Sequence, residues 1–321
     1  MKFSEITSSL KQKFSRPKKK KSLMKSKNDR ELLIITLPLL IKTFIFSVVP
    51  LFWLLLAFEF YVPNLGVLGS PWVGFDNFKY LVTSSAFTNM LRNAVVLNIL
   101  DILFGTVCGV ILGLLMFELV NKVAIKTIQT MFFFPYFIAW TVTGTLLEAF
   151  IGDRGVINEI ISSIGGQTVD FYSKPWAWWP IIVFMGLWKG AGVGGVVNYA
   201  VLMGADTEMY EAAEIDGANR FQKMIFLSLP YMKTMLLVNM IMSCSNIIRY
   251  DFSRIYFLTG DRSTLYETTE IIETYMYRAL RRSGLFEAST AVGLLQSAVG
   301  LVFCAIANFI TKKITPESSL F

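Results

Sequence analysis

Six apolar runs constrain this chain more than any other feature. They cover roughly residues 32–58, 94–119, 129–150, 176–203, 232–248 and 288–310. Each is about long enough to cross a bilayer as a helix, which takes about 20 mostly apolar residues. A soluble core built from 321 residues could not hide 27 Phe and a composition that is 54% hydrophobic. Lipid is the solvent the sequence calls for. The expected fold is an all-α integral membrane protein with six transmembrane helices. The domain expected to span the membrane covers residues 32–310, between a basic tail at 1–31 and a short tail at 311–321.

The charge is unevenly placed. The first thirty residues hold eleven Lys/Arg against two acids, a surplus larger than the +7 of the whole chain. The remainder is slightly acidic, so the basic character does not indicate nucleic acid as a partner. It indicates a cytoplasmic tail beside anionic lipid. The apolar run that follows is too long for a signal peptide and shows no small-residue cleavage site. With both termini cytoplasmic, inside segments carry 18 Lys/Arg and outside segments 10, and six of those ten, between Arg249 and Arg282, are matched by six acids. The positive-inside bias therefore favours that orientation. Trp72, Trp176, Trp178 and Trp179 suit an interfacial belt on the outer face.

Enzymatic chemistry finds little support. The chain has no histidine, the commonest general base and metal ligand. Cys108, Cys244 and Cys304 lie far apart inside apolar runs and read as small buried hydrophobes. No metal site, no catalytic residue and no G-x-x-x-x-G-K-[ST] phosphate loop is visible. The chain therefore cannot cradle ATP phosphates by that device, and any energy it uses must come from another chain or from an ion gradient.

Three charges sit well inside the runs. Lys42 lies near the cytoplasmic end and can snorkel to headgroups. Asp101 follows Asn98 by about one turn and can pair with it or with a neighbouring helix. Lys189, in GLWKGAGVGGVVNY, is the hardest to accommodate unless the helix unwinds or a wet cavity lies nearby. Gly105, Gly109 and Gly113 in the second run, and Gly186, Gly190, Gly192, Gly194 and Gly195 in the fourth, form ridges suited to close helix packing. The second cluster could alternatively break its helix beside a substrate path.

One polar stretch interrupts the apolar pattern: YEAAEIDGANRFQKMIFLSLP, Tyr210 to Pro230. Asp206 is placed to N-cap a helix over 207–215, with Glu208 in its first turn. Gly217 can turn φ positive and stop that helix. A second helix begins near Asn219, with Phe221, Met224, Ile225 and Ser228 on one face, and is expected to end at Pro230. The orientation places this loop in the cytoplasm.

Glu211-Ala212-Ala213, then Asp216-Gly217-Ala218, then Leu229-Pro230 resembles the "EAA" loop of binding-protein-dependent ABC importer permeases. Leu227 stands where that family usually has Ile, Met224 where Phe is usual, and Thr234 where a proline often follows. GSPWVGFDNF, LRNAV, QTMFFFPYFIAW, the Trp188-Lys189 pair, TYMYR and the terminal SSLF extend the resemblance to the subgroup that imports oligosaccharides or complex-glycan fragments. Tyr136 replaces the histidine usual in that subgroup. The resemblance implies the type I importer fold, with the 206–230 loop as a cytoplasmic coupling element and Glu211 as its charged contact. It also implies a homologous second permease, a cytoplasmic ATPase dimer that holds ATP and Mg, and an extracellular solute-binding lipoprotein. No cofactor is expected in this chain, and a bacterial cytoplasmic membrane is the expected location.

Sugars favour aromatic faces and amide or hydroxyl partners. Residues that could supply these along a central path are Tyr136, Trp140, Trp188, Asn198, Tyr199, Asn239, Ser243 and Asn246. The alternative is a gradient-driven transporter that uses Asp101 and Lys189 as ion or proton sites.

Overall fold

A computed structural model describes residues 27–314, with a few side chains inside that range excepted. The basic tail before Lys27 and the SSLF terminus fall outside the described residues. The chain divides into two compact units at Trp53 and Leu54. The described part of the first is a helical run. Helix α1 (Lys27–Thr43) continues through a π turn at Phe44–Val48 into a 3-10 stretch beginning at Val49. Its apolar side chains are exposed.

Apart from one isolated bridge between Glu59 and Trp72, the regular structure among the described residues of the second unit is helical. Its principal elements are α2 (Ser85–Phe117), α3 (Lys122–Phe133), α4 (Trp140–Ile151), α5 (Val156–Ser163) and α6 (Trp178–Leu202). They are followed by α7 (Thr207–Ile215), α8 (Arg220–Lys223), α9 (Leu229–Cys244), α10 (Phe252–Thr259), α11 (Ile272–Arg281) and α12 (Phe286–Ile314). Among the described residues, five helical runs are long and apolar enough to cross a membrane, or six if the bent third segment counts as one span.

That third segment departs from the straight run expected over 129–150. Lys122–Phe137 and Trp140–Ser163 meet at 96°. Pro135 sits in a 3-10 turn, and Ile138 and Ala139 are extended (ψ 125° and 148°). Proline contributes no N–H and favours a kink here.

The glycine ridges do most of what their spacing suggests. A methyl on Gly113 would lie 2.6 Å from Asn198 Cβ, and one on Gly109 would lie 3.2 Å from the Gly194 backbone. Small residues thus bring α2 and α6 into backbone contact. Gly192 faces the Phe132 carbonyl of α3, and Gly144 of α4 faces that of Phe257 in α10. Gly105 and Gly190 adjoin open space, so they are not part of the packing. The 190–195 cluster does not break α6, which is continuous through Leu202.

Three apolar clusters follow from this packing. The largest surrounds Trp178, Ile182, Leu97 and Leu258, where α2, α4, α6 and α10 meet. A second joins Met90, Ile272, Ala291 and Val292. A third, Leu114, Leu202 and Met232, lies beside the 206–230 loop. Trp178 does not belong to an interfacial belt. It is wholly buried, and its Nε1 donates to the Phe171 carbonyl at 2.9 Å. Trp72 and Trp176 are exposed. The cysteines are less buried than expected: Cys244 is exposed and the other two are half-buried. Apolar side chains facing lipid are stable in the open, so an apolar run alone does not specify burial.

Candidate functional site

Two polar regions interrupt the apolar body. The first is the 206–230 loop. Asp206 Oδ1 accepts from the Glu208 N–H at 3.0 Å, capping α7 over the residues expected. Gly217 takes φ +82°, a left-handed conformation that ends the helix without the strain a Cβ would bring. Asn219 and Gln222 then form a reciprocal capping box, at 2.9 and 2.8 Å, that starts α8.

Pro230 does not end this second helix. The chain passes through a π turn, Met224–Ser228, directly into α9, so Arg220–Cys244 is one apolar run. The Leu229 N–H bonds back five residues to Met224. That widened turn leaves room for the Pro230 ring at the next turn.

The loop is anchored on its inner side. Tyr210 and Ser228 hydroxyls lie 3.0 Å apart, Tyr210 packs on Phe117, and Tyr231 donates to the Gly204 carbonyl at 2.9 Å. Lys223 and Glu214 link its two helices at 3.1 Å. On the outer side Glu211, Ala212, Asp216 and Gly217 are exposed, and Ala213 and Ala218 are half-buried. Ile215 and Phe221 stand in the open beside them. A cleft of about 300 Å³ separates the two helices, lined by Ala213, Asp216, Gly217, Ala218 and Phe226 among others. Leu229 and Pro230 are also exposed, at the start of α9.

The second region is a cavity of about 660 Å³ bounded by α2, α6 and α9. Four of the eight sugar-contact candidates line it: Asn198, Asn239, Ser243 and Asn246. Asn98, Asp101 and Thr106 of α2 share the wall, and the sequence had not placed them there. Their i, i+3 and i+8 spacing along one face of α2 is the signal that could have found them. Ser243 donates its hydroxyl to the Asn239 carbonyl at 2.9 Å.

The four remaining candidates lie elsewhere. Trp188 lines a separate groove walled by Leu146, Phe150, Ile181 and Phe184, which is almost wholly apolar. Tyr136 is exposed and packs on Phe133 and Phe137. Tyr199 is half-buried, with its backbone beside Gly113. Trp140 donates from Nε1 to Asp251 at 2.7 Å. A helix puts neighbouring residues on different faces, so aromatic content alone could not sort these rings.

The two uncomfortable charges are both engaged. Lys189 is buried and donates to the carbonyls of Pro135, at 3.2 Å, and Ile138, with its ammonium 4.8 Å from the Trp140 ring centre. It satisfies acceptors freed where the third segment breaks, so the unwinding lies in a neighbouring helix and not in its own. Asp101 does not pair with Asn98. It receives both terminal nitrogens of Arg254, at 2.5 and 3.0 Å, and the Tyr250 hydroxyl at 2.8 Å. Asn98 instead donates to the carbonyls of Ala94, Ile247 and Arg249, each at 2.9 Å. Glu273 of α11 accepts from Gln296 Nε2 at 2.7 Å and from the Tyr250 N–H at 3.3 Å.

Residues 105–316 match the family described as the binding-protein-dependent transport system inner membrane component. The chain belongs to that family. This permease is 36% identical to Protein LplB of Bacillus subtilis over 292 residues, 91% of each protein. It is 33% identical over 305 residues to the polygalacturonan/rhamnogalacturonan transport system permease protein YteP of the same organism, covering 95% of this permease and 94% of that one. Its fold matches a chain of a bacterial alginate ABC transporter crystallised with an alginate pentasaccharide-bound periplasmic protein. The TM-score is 0.80 at 31% identity, over 90% of this permease and 96% of that chain.

The permease is thus a multi-pass membrane component of an ABC importer that works with a binding protein, and not an enzyme. The gradient-driven alternative gains nothing from its two residues: Asp101 is held by Arg254, and Lys189 by backbone carbonyls. Among the described residues no cluster of His, Cys, Asp and Glu could hold a metal ion.

Proposed function

We propose that this permease is one half of a translocation path for oligosaccharides or glycan fragments, driven by a separate ATPase dimer through the 206–230 loop. The observation that carries the reading is one cavity holding four asparagine amides, with a coupling-type loop at the far end of two of its walls. Helix α6 leads from the cavity to the loop, and α9 leads back. Amides and hydroxyls are suitable partners for sugar hydroxyls, and a rigid helix transmits displacement between the two regions. The names of the relatives, which include polygalacturonan, rhamnogalacturonan and arabinooligosaccharide permeases, support a glycan cargo.

In this reading Glu211, Ala212, Ala213, Asp216, Gly217 and Ala218 enter a cleft on one ATPase subunit, and Leu229 and Pro230 set the angle at which α9 leaves the loop. ATP and Mg are bound by that ATPase. A homologous second permease supplies the other half of the path, and an extracellular binding protein delivers cargo. Both termini are cytoplasmic, as the positive-inside bias supports.

The test is Glu211→Lys in the intact importer, assayed for cargo taken from a mixture of plant and bacterial glycan fragments by mass spectrometry. Loss of ATP-driven uptake, with membrane insertion retained, is expected. Uptake at the unaltered rate would overturn the coupling role. Uptake of no saccharide from the mixture by the unaltered importer would overturn the cargo class.

A further inference from the structure

Asn246 is the cavity-lining residue just past the end of α9, and it stands on a non-helical elbow, residues 245–251. Asp101, whose bonds hold the far end of that elbow, lies at the midpoint of the 33-residue α2. Non-helical backbone at such depth is tolerated only where protein or a wet cavity satisfies it. Here the partners are side chains from other elements. Asn98 of α2 takes the Ile247 and Arg249 carbonyls, Gln296 of α12 takes that of Ile248 at 3.0 Å, and Glu273 of α11 takes the Tyr250 N–H.

We infer that Asp101 and Arg254 are positioning residues for the end wall of the translocation cavity. Their ion pair ties the elbow, and with it Asn246, to α2 and α6. The inference rests on reading the cavity as part of the path.

The geometry suits a fixed tie. The Arg254 fork meets both Asp101 oxygens, and its Nη2 also donates to the Ile182 carbonyl of α6 at 2.5 Å. Gly186 makes room for it, since a methyl there would lie 1.9 Å from Nη2. The rings of Trp140 and Tyr250 lie 5.6 and 5.2 Å from the guanidinium carbon. Asp251 Oδ1 caps α10 by accepting from the Ser253 and Arg254 N–H groups, which fixes where the arginine starts. The Arg254 side chain is 8% exposed and that of Asp101 is 26%, so the carboxylate is the member that faces the cavity. Among the described residues, the hydrogen bonds of Asn246 are made by its backbone, to Ser243 at 3.1 Å and Arg249 at 2.8 Å. Its place therefore follows from what holds the elbow, whose far end is fixed by Asp101 through Tyr250 and Arg254. Ser243, one turn earlier, is set by α9 itself.

The test uses the full importer in nanodiscs, with Cys108, Cys244 and Cys304 replaced by Ser. Asn246→Cys and Ser243→Cys are introduced singly, and their modification by a small charged methanethiosulfonate is timed by mass spectrometry. With Asp101→Asn, the Asn246→Cys rate rises about tenfold while the Ser243→Cys rate stays within about twofold. Arg254→Lys keeps the charge, loses the fork and shifts the first rate less, in the same direction. Unchanged Asn246→Cys rates in both variants would overturn the inference. So would equal rises at both positions, which indicate general loosening. If neither cysteine reacts with Asp101 and Arg254 intact, the cavity is closed to water, and the path reading falls together with the inference.

Discussion

The elbow beside Asp101 and the loop around Glu211 are both polar interruptions in an apolar chain, but they use their charges in opposite ways. Around the elbow and the nearby break in the third segment, the charges of Asp101, Asp251 and Lys189 each meet a partner inside the chain, as does the neutral amide of Asn98. On the loop, the inner face is tied down by Tyr210 and Lys223, while Glu211 has no hydrogen-bond or ion-pair partner among the described residues. A charge in a low-dielectric setting must be paired, whereas one facing water can wait for another protein. Which groups are satisfied therefore separates the part that holds the fold from the part that is offered outward.

The contrast can be broken most directly at its buried end. Asp101→Ala leaves Arg254 with one carbonyl and no counter-charge, and should cost about 3–5 kcal/mol in equilibrium unfolding. A melting curve that does not move would make the ion pair dispensable. Lys189→Met exposes the Pro135 and Ile138 carbonyls at the break in the third segment, with an expected loss of about 2–3 kcal/mol. Retained stability there would mean that water or lipid serves those acceptors as well.

Two glycines sharpen the same comparison. Gly192→Ala would put a methyl 2.0 Å from the Phe132 carbonyl and should cost about 1–3 kcal/mol through displaced backbone. Gly217→Ala meets no atom within 4 Å, yet its φ of +82° is strained for any Cβ. About 1 kcal/mol is expected, read locally as faster amide exchange at the end of α7. The smallest effect belongs to Glu211→Lys, for which no change in melting temperature is expected even as ATP-driven uptake is lost. A fall in stability there would mean that the residue supports its own chain and would blur the distinction.

Much of this was legible from residue order. The Asp206 cap, the Gly217 stop and the start of the second helix near Asn219 are local features, fixed by hydrogen bonds within three or four residues. The half of the sugar-contact candidates found in the cavity came from amides and a hydroxyl, while the aromatic half lies elsewhere. Polar groups inside an apolar body must turn toward one another or toward water, but a ring is equally stable against lipid. For the same reason Trp178 was misplaced at the interface and the cysteines were placed too deep.

The sequence by itself determined an all-helical membrane chain, the positions of its apolar runs and the build of its exposed loop. Length, apolar content and local capping suffice for those. Only the tertiary structure decided that the third segment bends by 96°, that Lys189 serves the break in another helix, and that Arg254 reaches Asp101 across 153 residues. Those pairings depend on which helices lie side by side. Glycine contacts and long-range satisfaction of polar groups set that arrangement, and neither can be read along a single strand of residues.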